Sequence, residues 1–437
     1  MKRRETLAIF LSAGCFLTGL FSEELRWISW FAFLPLFWRC LDPACSLKRV
    51  TLLTLTVGLI YSGAGFFWVI KFDWRLYILI IVLSAPGWMI YFFLLKILLM
   101  KIKKGLFQIF GACSLWLIYR SIHQFMPDGT LSTDFAFFGP LPFLQIIRLT
   151  GFEGWCAIII GLNFSAALLI RKRCFSHVLW FLLFTAALLS AYLYGAKKLR
   201  EPVNAAIPLR PALIQHNLPI SGIWRLDHPS ELKSEYVKLA REAAEKKPDL
   251  IVFPMFDLPE DPLRDPEFLG GLAKETGIPI LAAAHVPRSP KGSMLDEGYL
   301  SVAVFYSPDE KLSGTYQSVK AAPVFGLLKE WTAEKYTVMK TPLGKLGILL
   351  CYEDTSPALA REAVRQDAEM LIALSNPGHF VSTPLPGYHL FLDRLRAIES
   401  GRWLARVSAN GYSALIDPQG RIIEQSQLGK QEILQLK

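Results

Sequence analysis

The hydrophobic pattern divides this chain in two. Up to about residue 196 the apolar positions fall in long runs nearly free of charge. From about residue 201 onward apolar and polar positions alternate as in an ordinary globular domain. Seven of the runs, near 6–22, 26–41, 50–70, 76–100, 105–121, 150–170 and 177–196, are long enough or nearly so to cross a bilayer, which takes about 20 residues of helix. The second and fifth are short. The pattern predicts a membrane domain over 1–200 with about seven helices, then a domain over 201–437 large enough to bury its own core.

The second half alternates strand and helix patterns. Strands are expected at 212–215, 249–254, 279–283, 300–305, 346–350 and 370–374. Helical periodicity runs over 230–246, where Leu232, Tyr236, Leu239 and Ala243 share a face, and over 357–366 and 387–400. A hairpin turns at Asp417-Pro-Gln-Gly420. Mixed strands with helices on their faces predict a layered α/β sandwich. The chain has no internal repeat and no glycine-rich phosphate loop. Its seven histidines are scattered without metal-ligand spacing, so neither a metal nor a cofactor is expected.

Composition agrees with a membrane half, since 52% of residues are hydrophobic and only 19% charged, which is too apolar for an average soluble protein. The net charge of +10 is no sign of nucleic-acid binding, because it sorts by loop. Lys2-Arg3-Arg4, Lys48-Arg49, Lys101 with Lys103 and Lys104, and Arg171-Lys172-Arg173 fall in alternate connections, while the first intervening loop carries Glu23-Glu24. The positive-inside rule puts the N-terminus in the cytoplasm, and seven crossings then put 201–437 on the outer side. Lys197, Lys198 and Arg200 break the pattern but lead into a large domain, where the rule loses force. Met1-Lys-Arg-Arg before an apolar run resembles a signal peptide, and Leu11-Ser-Ala-Gly-Cys15 a lipoprotein cleavage site; with further spans behind it, the run reads better as a first membrane helix. The 122–149 connection contains Phe135-Ala-Phe-Phe-Gly-Pro-Leu-Pro-Phe, expected at the membrane interface as a lipid-entry rim or as an anchor.

Cys351-Tyr352-Glu353 is the candidate site. It follows the apolar run 346–350 and precedes Ser356-Pro357, a helix start. A thiol on a strand-to-helix turn is placed to act as an exposed nucleophile. Cys351 is also the only cysteine after residue 200, which excludes a disulfide within its domain.

Motifs around it carry a resemblance. Gln215-His-Asn217 with Trp224, Asp249-Leu-Ile-Val-Phe-Pro254 with Pro259, Tyr316-Gln-Ser-Val-Lys-Ala-Ala-Pro323, Cys351-Tyr-Glu353, Ser375-Asn376 with Phe380, Arg396-Ala-Ile-Glu399-Ser-Gly-Arg402, Asn410-Gly411 and Asp417-Pro-Gln-Gly-Arg421 stand in order. The chain resembles the apolipoprotein N-acyltransferases, the membrane branch of the nitrilase (carbon–nitrogen hydrolase) superfamily. The resemblance implies an αββα sandwich after the membrane helices and a multi-pass protein of the bacterial inner membrane. It implies acyl transfer from a phospholipid donor, through a cysteine thioester, to the N-terminal amine of apolipoprotein diacylglyceryl-cysteine. Family members usually add a C-terminal membrane helix. No apolar run follows the last hairpin here, so the domain is expected to be tethered at one end.

Within that resemblance Cys351 is the nucleophile, Glu353 an orienting group, and Tyr352 and Trp224 substrate contacts. The family's general base, a glutamate, is expected where Met255 stands, and its lysine where Ser318 stands. A further acidic residue expected after the lysine loop is missing from Pro323-Val-Phe-Gly-Leu-Leu-Lys-Glu330. A thioether carries no proton and a serine no charge. Asp257 and Lys320 each lie two residues beyond the lost position, on the same face of an extended strand and about 6.7 Å away. They are the candidates for a displaced base and a displaced cation. An inactive relative that binds lipoprotein or lipid is the alternative; an amidase of the same superfamily is a third.

Overall fold

The computed structural model describes residues 3–436 apart from 23, 72, 124–133, 204–206, 219–227, 256–257, 259–260, 265, 290–296, 322–328 and 377–380. The chain forms two compact units, Met1–Arg200 and Glu201–Lys437.

Long helices in the first unit cover Arg3–Phe21, Leu47–Gly65, Trp74–Lys101, Gly105–His123, Ile147–Arg171 and Phe175–Arg200. Five described helices, all of these but 47–65, are long and apolar enough to cross a membrane. The 26–41 run is a composite: a 3-10 stretch, Arg26–Phe31, leads through right-handed residues into the helix Leu34–Cys40. A buried charge network fixes the direction of each segment. Arg39 reaches Asp42 at 2.6 Å and Glu5 at 3.4 Å, Arg171 reaches Asp42 at 3.0 Å, and Lys96 Nζ donates to the carbonyls of Cys40 and Asp42 at 2.8 Å. Thus the start of the first helix and the ends of the 26–41, 74–101 and 147–171 segments meet at one end of the bundle. At the opposite end Arg120 pairs with Asp134 and Glu153. There the last helix presses on the Pro142 carbonyl through Gly195, where any Cβ would lie 1.7 Å from that oxygen. The described long helices of the unit, with the 26–41 segment between the first two, therefore run in alternating directions.

Part of the aromatic connection packs into the bundle. Phe137 and Phe138 are wholly buried, because Trp155 Nε1 donates to Phe137 O at 2.7 Å and Trp30 Nε1 to Phe138 O at 2.8 Å. Two indole N–H groups in an apolar bundle need acceptors, and this loop's carbonyls provide them.

The second unit is a four-layer sandwich. One sheet has the order β12-β1-β2-β3-β4-β5 and the other β11-β10-β9-β8-β7-β6, with β1 Pro211–Gln215, β2 Leu250–Met255, β3 Ile280–Pro287, β4 Tyr299–Tyr306, β5 Leu312–Gln317, β6 Met339–Thr341, β7 Gly344–Leu350, β8 Met370–Ser375, β9 Trp403–Ser408, β10 Ala414–Ile416, β11 Ile422–Gln425 and β12 Glu432–Leu434. Inward faces such as Val252, Leu281, Phe305, Ile348, Ile372 and Val407 make the core between the sheets. The helices Pro229–Ala244 and Glu267–Thr276 cover the first sheet through Leu232, Tyr236, Leu239 and Leu272. Strands buried on both faces are expected to be short apolar runs, as β1, β2 and β8 are.

Candidate active site

β7 runs parallel to β8 through Leu350↔Leu374 and ends in the 3-10 turn Cys351–Thr355, ahead of the helix Pro357–Arg365. Cys351 has φ +49°, a left-handed conformation unfavourable for a residue with a Cβ. Glu353 holds the turn in it. Its carboxylate, wholly buried, accepts from Leu350 N at 2.8 Å, Val319 N at 2.7 Å, Tyr316 OH at 2.8 and 2.9 Å and Ser318 Oγ at 3.1 Å. The bond to Leu350 N is half of a capping box; the others tie the turn to the end of β5. Burial raises the Glu353 carboxyl to about 7, against the lowering effect of these donors.

Behind the turn lies a second buried set. Asp354 Oδ2 accepts from His389 Nδ1 at 2.6 Å and Arg406 Nη1 at 3.3 Å. Arg406 also donates to Asp393 at 2.6 Å and to Ser375 Oγ at 2.9 Å. Arg396 donates to the Asp354 carbonyl at 3.2 Å and pairs with Glu399 at 3.0 Å. The Cys351 thiol is pushed up to about 12, chiefly by burial and then by the Asp354 and Glu330 charges, with Arg406 acting the other way.

Met255 and Ser318 stand where the resemblance places the family's base and lysine. Met255 is buried at the end of β2, paired with Ala283 and packed in the core between the sheets. Ser318, also buried, bonds Glu353. Lys320 does not turn back to position 318. Its Nζ donates to Thr355 Oγ1 at 3.0 Å and lies 4.7 Å from the Tyr352 ring centroid, so it lies against the cysteine turn. Trp224 and Asp257 lie outside the described residues. Among the described residues no cluster of His, Cys, Asp or Glu could hold a metal ion.

A thiol on a strained strand-to-helix turn, beside a buried glutamate, is an arrangement in which a cysteine can act as a nucleophile once its proton is taken. Residues 212–436 match the carbon-nitrogen hydrolase family. The chain belongs to that family. Residues 12–165 match the apolipoprotein N-acyltransferase N-terminal domain, which sets this member in the family's membrane branch. The apolipoprotein N-acyltransferase of Geobacter metallireducens is 25% identical, over 99% of this chain and 89% of that protein. The one from Gloeobacter violaceus is 26% identical, over 72% of this chain and 63% of that protein. A Saccharomyces cerevisiae member of branch 10 of the nitrilase superfamily superposes with a TM-score of 0.43 at 22% identity, over 53% of this chain and 91% of that one.

Sequence reasoning missed the groups on the facing sheet: Tyr299, Ser301 and Glu330, with His285 beside them. The signal was period-2 alternation. Once 300–305 is a strand, Ser301 faces the same way as Ala303 and Phe305.

Proposed function

We propose that this member of the carbon–nitrogen hydrolase family transfers an acyl chain from a phospholipid to the N-terminal amine of apolipoprotein diacylglyceryl-cysteine. Cys351 is the nucleophile: its sulfur bonds the ester carbonyl carbon, the glycerol oxygen leaves with a proton, and the lipoprotein amine then displaces the thiol from the thioester. The carrying observation is a strained cysteine turn in a family-matched domain that follows a bundle of membrane helices. Glu353 acts as a positioning residue that keeps the turn closed, and Tyr352 lines the acyl site beside Lys320.

The basic connections at the Glu5–Arg171 end of the bundle favour placing that end in the cytoplasm. Seven crossings then lead residue 201 to the outer face of the inner membrane, where lipoprotein amines are met.

The full chain in detergent, given phosphatidylethanolamine, is expected to gain one acyl mass on Cys351, visible by intact mass and removed by hydroxylamine. A synthetic diacylglyceryl-cysteine peptide then discharges it. Cys351→Ala gains nothing. A wild type that never carries the adduct sinks the transferase reading and leaves a protein that binds lipid or lipoprotein without reacting.

A further inference from the structure

The first sheet presents a row of polar side chains one step beyond Met255. β3 pairs with β2 through Ala283↔Met255, and with β4 through Ala283↔Ala303 and His285↔Ser301. Ala303 pairs in turn with Tyr316 on β5, and Ser318 N donates to Ser301 O at 2.9 Å. Met255, Ala283, Ala303 and Tyr316 all lie in the core between the sheets. Residues two apart on a strand share a face, so His285, Ser301 and Ser318 form the next row of that face. Ser318 touches Glu353, which shows that the row faces the cysteine turn.

Glu330 is docked onto this row. The stretch carrying it lies along the start of β4, with Tyr299 N donating to Lys329 O and Trp331 N to Tyr299 O, each at 2.9 Å. Ser301 Oγ donates to Glu330 Oε1 at 2.5 Å, and Tyr299 OH reaches Glu330 Oε2 at 3.5 Å. A hydroxyl has one proton to give. With it committed to Glu330, the 3.0 Å contact between His285 Nδ1 and Ser301 Oγ runs from an Nδ1–H to the hydroxyl oxygen. The chain is therefore ordered, His285 to Ser301 to Glu330. This row, through Ser318, meets the carboxylate that closes the Cys351 turn, and in keeping with that the Glu330 charge raises the Cys351 thiol and Cys351 raises the Tyr299 phenol. The other carboxylate felt by the thiol, Asp354, is buried and held by Arg406 and His389.

We propose that Glu330, held by Ser301 and Tyr299, is the proton acceptor for the Cys351 thiol in place of a carboxylate at position 255. This rests on the acyl-transfer reading above. The Sγ–H proton passes to the Glu330 carboxylate as sulfur bonds the ester carbonyl carbon. The C–O bond then breaks, and the carboxylic acid returns the proton to the departing glycerol oxygen. In the second half Glu330 takes a proton from the attacking amine as the C–N bond forms, and the C–S bond breaks to release the thiolate. The thiolate recovers that proton from Glu330. His285 is a positioning residue, acting only through Ser301.

Two measurements on Glu330→Gln in the full detergent-solubilised chain test this. Thioester formation from phosphatidylethanolamine is expected to slow by about 10²–10⁴-fold, the usual loss of general-base help. Alkylation of Cys351 by iodoacetamide at pH 9, read on its own peptide, is expected to become severalfold faster. Removing a negative charge beside a thiol also faced by Asp354, Arg406 and Tyr299 raises its thiolate fraction. Opposite changes in the two rates are a signature that a merely structural role does not give. Thioester formation within threefold of wild type, or an unchanged alkylation rate, overturns the assignment. If the wild type forms no thioester, the transferase reading fails by itself, and the alkylation rate still decides whether Glu330 faces the sulfur. A melting temperature equal to the wild type's excludes misfolding as the cause of either change.

Discussion

The two sheets of the second unit meet at Cys351 on unequal terms. On the β7–β8–β9 side every buried charge near the turn has a named partner: Glu353 has four donor groups, and Asp354, Asp393 and Arg406 form one cluster. On the β2–β3–β4–β5 side Met255 and Ser318 stand where the resemblance places the family's base and lysine, and His285 and Ser301 stand one row beyond Met255. One side is fixed by mutual hydrogen bonding, so changing a single member strands the rest. The other side is joined by a few contacts, and its chemistry can move from one strand position to a neighbour while the fold is kept.

That contrast predicts the largest effect at Arg406. Arg406→Leu leaves Asp354 and Asp393 together without their cation, and breaking a buried pair from one side costs about 3–5 kcal/mol. Urea denaturation of the full chain in detergent checks the loss. A change below about 1 kcal/mol breaks the claim that this side is over-determined.

Glu353 comes next. Its folded carboxyl sits near 7 against an ordinary 4.5, so the protonated form is favoured in the folded state. Its contribution is fully present below pH 4.5, declines as pH rises through 7, and totals about 3 kcal/mol at about 1.36 kcal/mol per unit. The stability difference between wild type and Glu353→Gln, measured from pH 4 to pH 8, is expected to move against the wild type across that window. A flat difference shows that the donors outweigh burial.

The facing sheet is tested by putting the carboxylate back. Met255→Glu is expected to speed thioester formation at least tenfold, about 1.4 kcal/mol of barrier, while lowering stability, because the thioether it replaces is packed in the core. A slower enzyme shows that position 255 has lost its line to the sulfur.

Much of this was legible from the chain. Short apolar runs gave β1, β2, β7 and β8 to within about two residues, because strands buried on both faces need no alternation to be seen. Cys351, Met255 and Ser318 were singled out by motif position alone. The partners were not. Glu330 is held by a bridge to Tyr299 and Lys320 reaches Thr355. Both depend on how a chain segment folds back over a strand end, which spacing along the sequence does not encode. The packing of the aromatic connection was hidden for a related reason: the carbonyls of Phe137 and Phe138 accept from Trp155 and Trp30, a pairing that spacing does not show.

The smallest effect probes the turn itself. At φ +49° any residue with a Cβ is held in a conformation that costs about 1–2 kcal/mol, and glycine is not. Cys351→Ala and Cys351→Gly both remove the sulfur, so neither carries an acyl group, and they differ only in backbone freedom. Glycine also loosens the unfolded chain, which offsets part of the gain. The net expectation is that Cys351→Gly is the more stable of the two by about 1 kcal/mol in urea denaturation. If alanine is the more stable, the turn is not strained at Cys351, and the Glu353 donors close a conformation that the chain adopts readily by itself.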